Sequence, residues 1–362
     1  MVLADAQYIL LRQYKLCKRC FERHAAGRVK SDMQCYICRG LMERLDSIAD
    51  KIVDAVKSFE SETFLIGATL PTQIYEREDA MRARLKIRGK ESVKSQLTRE
   101  LGLLIAKRER KKVEYMNPDI TINVTIDKEN KVDVAVKSRP LVLAGRYVKK
   151  SRGLPQKQNR CQKCGSRGCD SCNYSGLSGY DSIEGVVAKW LVEMTGGQTP
   201  KFSWIGSEDQ NSLVLGNGRP FYARVINPKK RKLKKGMIKD NGIQAILSIM
   251  KDEPEHQPRF NVKTRIHVRC ERAVAKEDLE KLNSLAGDVS FENRWKMATK
   301  KIHSARARRI DSNEFVLTIV AEGGLLIKQF VGGEEYMKPN ISENLGAKCE
   351  CVSFDILDVS LQ

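Results

Sequence analysis

Two acidic side chains, Glu208 and Asp209, stand next to each other in a stretch bounded by glycines. The apolar residues 202–205 before them predict the end of a strand, and residues 221–226 predict a second strand. Carboxylates on such a turn can face a substrate instead of a core, which makes both acids candidates for chemistry. Taken alone, the stretch is better explained as an ordinary hairpin with solvated acids.

Eight of the 11 cysteines occur in four Cys-x-x-Cys pairs. In a reducing compartment such pairs are metal ligands or redox groups more often than structural disulfides. Two pairs separated by fourteen residues can deliver four thiolates to one zinc ion, with two unrelated thiol turns as the alternative. The ligands predicted for this first structural zinc are Cys17, Cys20, Cys35 and Cys38.

The other two pairs lie within twelve residues, and glycines between them allow tight turns around a metal. A second zinc knuckle at 160–177 is the leading interpretation, and a redox dithiol pair is the alternative. Its ligands are Cys161, Cys164, Cys169 and Cys172. Cys270, Cys349 and Cys351 lie in strand-like runs, and we expect them to be small core residues.

The composition indicates a folded protein that meets a polyanion. The chain has 362 residues, enough for two or three domains, and 41% of them are hydrophobic. Its net charge is +20, from 65 Lys and Arg against 45 Asp and Glu, which favours a nucleic-acid partner. We see no basic amphipathic helix, membrane-spanning run or signal peptide, so we expect a soluble cytoplasmic protein. The sequence does not predict protein partners.

Hydrophobic periodicity predicts an α+β unit over residues 45–137, after a metal-binding segment over 1–44. No glycine-rich phosphate loop precedes the helices of this unit, which argues against a nucleotide cofactor. A short helix is predicted over 1–16. The other predicted elements are helices over 41–56 and from about Ser92 to the basic run 107–112, a strand over 64–70, and a hairpin over 120–136.

The C-terminal region contains further strands and helices with basic residues at marked positions. Lys328 lies in a short apolar helix at 325–332, where a lysine requires an acidic partner. A basic loop over 228–235 can bind phosphates, and the strand over 262–270 carries Lys263, Arg265, His267 and Arg269 on one face. That face suits either a nucleic-acid cleft or an exposed sheet. The remaining predictions are strands from Leu141 and over 315–320 and 348–361, and helices over 183–194 and 275–285.

Motifs across most of the chain resemble those of a known family. Gly206, Glu208, Asp209 and residues 215–221 match a Gly-Arg-Glu-Asp … Leu-Gly-x-Gly-Arg-Pro-Phe pattern. The further matches are Gly145-Arg146-Tyr147, residues 151–156, Lys263-Thr264, residues 327–331 and Lys338-Pro339-Asn340. These motifs are similar to those of the archaeal and eukaryotic tRNA pseudouridine synthases that modify uridines 54 and 55 of the T-arm.

The resemblance implies an α+β protein with two parts. A zinc-binding segment (1–44) and a THUMP-like RNA-binding domain (45–137) would precede a pseudouridine-synthase catalytic domain (138–362). That domain is expected to hold a mixed, mostly antiparallel sheet split by a cleft. The implied activity is isomerisation of uridine to pseudouridine in the T-arm of tRNA, with structural zinc and no cofactor for catalysis.

The resemblance also implies roles for individual residues. Asp209 would be the catalytic aspartate, whose carboxylate can attack the sugar, or take a proton from it, as the glycosidic bond breaks. Lys328 would be its basic partner, so we expect the two side chains within ion-pair reach. The target uridine must be flipped out of the T-loop, while basic residues bind the tRNA by its shape and phosphates. The expected substrate-binding residues are Arg146, Tyr147, Arg219, Arg265 and Lys338.

Several positions depart from the family pattern. Ser207 replaces an arginine, and Asn211-Ser212-Leu213 replaces Asp-Val-Arg. Arg265 and Leu326 replace two tyrosines, and the plane of an arginine can stack on a base where the first tyrosine would. These changes leave open which of the two uridines is modified. They also leave a second hypothesis, a catalytically impaired tRNA-binding chaperone on the same scaffold.

Overall fold

A computed structural model describes residues 11–25, 34–233, 236–240, 242–293, 296–334 and 336–362. The chain forms two compact units, unit 1 (Met1–Arg139 and Asn227–Arg231) and unit 2 (Pro140–Ile226 and Lys232–Gln362). Most of the helix predicted over 1–16 lies outside the described residues, as do Lys234 and Lys235 of the predicted basic loop. No helix in the described ranges is both long and apolar enough to cross a membrane.

Unit 1 is a four-stranded sheet with helices. Strand order is β2-β1-β3-β4, with β1 parallel to β2 and β3, and β3 antiparallel to β4. Its elements are α1 (Lys18–Glu22), a 3-10 turn (Leu41–Glu43), α2 (Leu45–Val56), β1 (Thr63–Thr69), α3 (Thr72–Leu85), α4 (Val93–Glu109), β2 (Lys112–Val113), β3 (Ile120–Ile126) and β4 (Val132–Ser138).

The elements of unit 1 follow from its apolar pattern. Ile120, Ile122, Val124 and Ile126 alternate along β3 and point into the core, as a period of two requires. The apolar stripe of α2 is buried against them. The Ser92 hydroxyl accepts a hydrogen bond from the Ser95 N–H at 3.1 Å and caps α4 where the sequence predicts its start.

Unit 2 is built on one eleven-stranded sheet of order β14-β11-β12-β13-β10-β15-β7-β5-β9-β8, with β6 paired to β7. Its strands are β5 (Leu141–Lys149), β6 (Lys201–Trp204), β7 (Val214–Val225), β8 (Gly236–Asp240), β9 (Ile243–Met250), β10 (Phe260–Cys270), β11 (Gly287–Asn293), β12 (Lys296–Arg309), β13 (Glu314–Glu322), β14 (Met337–Lys338) and β15 (Cys349–Leu361). Its helices are α5 (Ile183–Thr195), α6 (Lys276–Asn283), α7 (Ile327–Gly332) and α8 (Ile341–Leu345).

The sheet of unit 2 is weakest at its centre. β15 and β7 run parallel and meet at the register pair Ile356–Val214, whereas the neighbouring strands pair antiparallel over many residues. A separate hydrophobic core packs on each side of this junction. The predicted α+β class with a mixed, mostly antiparallel sheet is therefore confirmed.

The acid stretch lies at this junction, on the loop between β6 and β7. β6 pairs with β7, with Trp204 opposite Phe221, as the predicted hairpin requires. The second strand begins earlier than predicted, at Val214, and it bends where Gly216 and Gly218 adopt positive φ. A side chain at Gly216 would collide with the carbonyl oxygen of Leu357, so the bend requires glycine.

Two of the cysteines expected to be isolated core residues are bonded to each other. Cys270 at the end of β10 lies opposite Cys349 at the start of β15, and the two form a disulfide. Both are buried, as expected, but their pairing was not predicted, since strands 79 residues apart in sequence give no local signal. Cys351 is a free thiol.

Candidate active site

Asp209 and Lys328 form an ion pair at the centre of unit 2. The Lys328 Nζ donates to the Asp209 Oδ2 at 2.6 Å, and the Asn211 N–H donates to the Asp209 Oδ1 at 2.9 Å. The Asp209 side chain is 27% exposed and that of Lys328 is 63% exposed. The carboxylate is therefore held from both oxygens and still reachable from solvent.

The electrostatics of the pair keep Asp209 ionised. The hydrogen bond from Lys328, followed by that from the Asn211 N–H, lowers the pKa of Asp209. The same bond raises the pKa of Lys328. Cys351 is the nearby competing nucleophile, and burial raises the pKa of its thiol to about 11, so it stays protonated at neutral pH.

Glu208 points away from solvent into a buried polar cluster. Its side chain is fully buried, with the Tyr147 hydroxyl donating to Oε2 at 2.7 Å and the Arg219 Nε at 3.3 Å. The Lys149 Nζ lies 3.1 Å from Oε1. This contact is ionic, because the three N–H bonds of Lys149 are directed at backbone carbonyls. The two neighbouring acids thus differ: Glu208 anchors the loop and Asp209 faces the site.

A cavity of about 630 Å³ opens beside the ion pair, a volume that suits a small organic ligand. One wall is residues 206–209 with Arg219, and another is the start of α7 including Lys328. Its apolar floor comes from β10, β13 and β15 and consists of Phe260, Val262, Thr264, Ile319, Ala321, Phe354 and Ile356. A flat apolar group can therefore be held next to the Asp209 carboxylate.

Three of the residues predicted to bind substrate contact the protein interior instead. Tyr147 is 0% exposed, and burial together with Glu208 raises the pKa of its hydroxyl, which stays a neutral donor. Arg219 lines the cavity but is 2% exposed, and it donates to Glu208 and to the Ile205 carbonyl. Arg146 donates to the carbonyls of Gly218 and Val359. These positions suit holding the site in shape, which differs from the predicted direct contact.

Lys338 does not line the cavity in the part of the chain that the structure describes. Its ammonium is exposed and lies 4.0 Å from the Glu343 carboxylate.

Arg265 lies on the sheet face opposite the cavity lining, since its neighbour Thr264 lines the cavity. It donates to Asp355 at 3.1 Å, and Arg152 lies 2.8 Å from the other oxygen of the same carboxylate. Burial alone would raise the pKa of Asp355, but hydrogen bonds from Arg152, the Leu213 N–H and Arg265 lower it. The predicted stacking of Arg265 on a base stays a prediction.

The basic face predicted on β10 exists, but acidic residues neutralise most of it. The Glu314 carboxylate contacts both His267 and Arg269, at 2.8 and 2.7 Å. Lys263 lies opposite Asp358 in the register with β15. The face therefore fits an exposed, charge-paired sheet better than a nucleic-acid cleft.

Both predicted cysteine clusters converge. In each, the four sulfurs lie within 4.8 Å of one another, and four of the sulfur–sulfur distances are 3.7 to 3.9 Å. A tetrahedral ion with metal–sulfur distances of about 2.3 Å places its sulfurs about 3.8 Å apart, so both clusters fit such an ion. The first set, Cys17, Cys20, Cys35 and Cys38, is fully buried.

The second cluster is closer to the surface and is stabilised by its backbone. The N–H groups of Cys169 and Gly176 donate to the Cys172 sulfur at 3.3 and 3.2 Å. Such donors stabilise thiolates, which are the form that binds a metal. The two clusters can therefore each hold a metal ion.

The sequence did not point to Lys149, Arg152 or Asp355. Lys149 and Arg152 belong to a run that predicts a strand followed by a basic, glycine-punctuated loop, and Asp355 lies in an ordinary strand pattern. The structure brings all three to the 206–213 loop. The one available signal was Arg152 within the matched 151–156 motif.

Comparison with known proteins identifies the family. The model described as "Pus10, C-terminal" matches residues 142–360, and "Pus10 THUMP domain, archaeal" matches residues 48–127. A Nitrosopumilus maritimus protein named tRNA pseudouridine synthase Pus10 is 33% identical over 98% of this chain and 97% of its own length. A Cenarchaeum symbiosum protein of the same name is 31% identical over 91% of this chain and 82% of its own length.

Solved structures add little to this. The crystal structure of a Cbf5-Nop10-Gar1 complex aligns with a TM-score of 0.30 and 10% identity, over 59% of this chain and 57% of that one. A similarity this low does not establish a shared fold. The two family models instead confirm both the THUMP-like domain and the resemblance seen in the motifs. The chain therefore belongs to the Pus10 family of pseudouridine synthases.

Proposed function

We propose that this protein isomerises uridine to pseudouridine in the T-arm of tRNA, at position 55, 54 or both, with Asp209 as nucleophile. The observation that carries the proposal is the Asp209–Lys328 pair beside a cavity of about 630 Å³. The named relatives, all tRNA pseudouridine synthases, support the tRNA substrate. The assignment of the T-arm as the modified region rests on the resemblance of the motifs.

The reaction needs a carboxylate and a shaped pocket. The Asp209 carboxylate attacks C1′ of the flipped nucleotide as the bond from C1′ to N1 of uracil breaks. The base turns within the pocket, C5 bonds to C1′, and the carboxylate leaves. C5 loses its proton and N1 gains one, so atoms balance in an isomerisation. The apolar floor, including Phe260 and Phe354, suits a planar base.

The residues around Asp209 have separate proposed roles. Lys328 keeps the carboxylate ionised and orients it. Arg265 and Lys338, which are exposed, stay proposed substrate contacts on the RNA outside the pocket. Tyr147, Arg146 and Arg219 hold the loops from the inside.

We assign the metal in both cysteine clusters as structural zinc. Four thiolates in tetrahedral spacing suit zinc or an iron site, and two separate clusters of Cys-x-x-Cys pairs are typical of zinc. These clusters hold the fold, and none of their cysteines lines the cavity.

Unit 1 offers a surface for the phosphates of the RNA. The loop from α3 to α4 carries five exposed cations within eleven residues, and none of them forms an ion pair with another described residue. The one acid among them, Glu91, is bound by Arg99. Unpaired exposed cations neutralise phosphates at the lowest cost. This surface, called the α3–α4 basic loop, comprises Arg84, Lys86, Arg88, Lys90 and Lys94.

The basic loop predicted over 228–235 is a weaker candidate. Arg231 belongs to unit 1, where it lies 3.6 Å from Asp119 and donates to the Arg139 carbonyl. Its charge is therefore used within the fold, and only Lys229, Lys230 and Lys232 of the described part stay exposed.

Mapping pseudouridines in tRNA transcripts incubated with the purified protein tests the proposal. Transcripts with uridine 54 or uridine 55 replaced by cytidine separate the two positions. We expect pseudouridine at one or both T-arm positions and none with the Asp209→Asn variant. Binding of tRNA without any pseudouridine would instead support a tRNA-binding chaperone.

A further inference from the structure

Lys149 is a lysine with no exposed surface, directly beneath the loop that carries Asp209. Its Nζ donates to the carbonyl oxygens of Leu154 at 2.9 Å, Asp209 at 3.1 Å and Gln210 at 3.2 Å. An ammonium has three N–H bonds, so all of its donors are used on backbone. A buried cation is tolerated only with such full satisfaction.

The three carbonyls belong to two different loops. Leu154 lies in the 150–156 loop, while Asp209 and Gln210 lie in the 206–213 loop. Further bonds join the same loops, from the Gly153 N–H to the Gln210 carbonyl and from Arg152 to the Asn211 carbonyl. Both loops are therefore hydrogen-bonded to one buried ammonium group, that of Lys149.

Pairing with Glu208 accounts for only part of the contacts of Lys149, because its three hydrogen bonds go to backbone carbonyls. Glu208 already contacts Arg219 at 3.3 Å and accepts a hydrogen bond from Tyr147 at 2.7 Å. Both of these contacts are to Oε2, so Lys149 also serves as the ionic partner of Oε1, at 3.1 Å. What no other buried cation here supplies, among the described residues, is the bond to the carbonyl of Asp209 itself.

We propose that Lys149 is a positioning residue, which fixes the backbone of Asp209 and so places its carboxylate against the substrate. The proposal rests on Asp209 being the nucleophile. Small displacements of a reacting group are costly, since about 1 Å can lower a rate about a hundredfold. Lys149 touches no substrate and acts entirely through the loop.

The same position also gives Lys149 an electrostatic effect on Asp209. The charged or titratable groups facing Asp209 are Lys328 on α7, Lys149 on β5, Cys351 on β15 and the adjacent Glu208. Lys149 adds to the lowering of the pKa of Asp209, after the larger effects of Lys328 and the Asn211 N–H. Loss of Lys149 therefore shifts the acid limb of the rate profile to higher pH.

Single-turnover kinetics on tRNA, with affinity measured separately, test the role. We expect Lys149→Met to lower the rate at saturating tRNA about a hundredfold, with unchanged affinity and an acid limb at higher pH. Lys149→Gln keeps two N–H donors without the charge, so it retains more of the rate but shows the same acid limb. Glu208→Gln leaves the three hydrogen bonds from Lys149 to backbone carbonyls in place, so we expect its rate to fall less than that of Lys149→Met.

Two outcomes would overturn the inference. A wild-type rate and acid limb in both Lys149 variants would show that the hydrogen bonds of Lys149 to the two loops are unnecessary for positioning Asp209. If the methionine variant does not fold, the glutamine variant alone supplies the answer. Equal losses in Glu208→Gln and Lys149→Met would show that Lys149 serves only as a counter-ion. Asp209→Asn is measured alongside: its activity would remove the proposed function itself, whereas its inactivity with a normal Lys149→Met removes the inference alone.

Discussion

Asp209 and Lys328 are 119 residues apart in sequence, yet the fold places their side chains 2.6 Å apart. Solvent reaches both, with exposures of 27% and 63%, so the pair contributes only about 0–1 kcal/mol to stability. Stability therefore does not explain a lysine on this short helix, in which most neighbours are apolar. Its effect on the carboxylate does, because it holds Asp209 in the charged form.

Replacing Lys328 by methionine tests this at the residue scale. The pKa of Asp209 is lowered by Lys328, so its loss lets that pKa rise, and activity then fails at a higher pH as the solution is acidified. We expect the rate at the pH optimum to fall about a hundredfold. The measurement is kcat/KM against pH for the variant and for Lys328→Arg, which keeps the cation. An unchanged acid limb in Lys328→Met would contradict the assignment.

At this scale the sequence predicted the pairing of the two central residues, but it did not predict the contacts of the residues around them. Asp209 and Lys328 were identified from motifs and were expected to pair, and the structure brings them together. Tyr147 was expected to contact the substrate but is buried in the protein. The alternation of residues along β5 does not predict which face of the strand other loops will cover. The sequence did not identify Lys149, because a strand followed by a basic, glycine-punctuated loop gives no sign of a buried lysine.

At the scale of elements, the helices and strands with strong apolar periodicity were predicted with nearly correct bounds. The helix predicted over 183–194 is observed as Ile183–Thr195, and the strand predicted over 348–361 as Cys349–Leu361. α3 was missed because its inward positions include Glu78, which is 1% exposed and bonded to Arg23. The β11–β12 hairpin was missed because β12 is mainly polar and exposed, with Ile302 its one fully buried residue.

The cysteine clusters give a prediction about metal content. We expect two zinc ions per chain by elemental analysis, and one in Cys17→Ser/Cys35→Ser or in Cys161→Ser/Cys169→Ser. The first pair of substitutions should also lower the melting temperature more, because that cluster is fully buried in the core of unit 1. Wild-type protein with fewer than two bound ions would contradict the assignment of both clusters.

The disulfide between β10 and β15 gives a second prediction for elements. Its removal in Cys270→Ala/Cys349→Ala should lower the free energy of unfolding by about 2–4 kcal/mol, since it closes a long loop in the unfolded chain. The measurement is denaturant unfolding without reductant, with the reduced wild type as control. Alkylation of the unfolded, metal-free protein should then modify nine thiols. Modification of all 11 would show that the bond does not form.

At the scale of the whole molecule, the net charge is +20, and the cations differ in whether an acidic side chain pairs with them. The cations of β10 are opposed by acids, and Arg231 is bound to Asp119. The α3–α4 basic loop keeps its charges unpaired among the described residues. Charge counting predicted a nucleic-acid partner, but only the structure separates paired cations from available ones.

The salt dependence of tRNA binding tests that surface. Arg84→Gln/Arg88→Gln/Lys90→Gln should weaken binding and reduce the slope of log K against log salt by about 2–3, from about 0.7–0.9 for each of three phosphate contacts. The matched control is Lys128→Gln/Lys131→Gln/Lys137→Gln on the β3–β4 hairpin, where lysines alternate with acids. An equal change in slope for both triples would show that the charge acts without a defined surface.

The central claim is that Asp209 carries the chemistry, and the release of tritium from tRNA labelled at uridine C5 measures it most directly. We predict release by the wild type and by Asp252→Asn, an exposed control in unit 2. Asp209→Asn should bind the tRNA but release tritium about 10⁴-fold more slowly or not at all. Equal release by Asp209→Asn and the wild type would contradict the account.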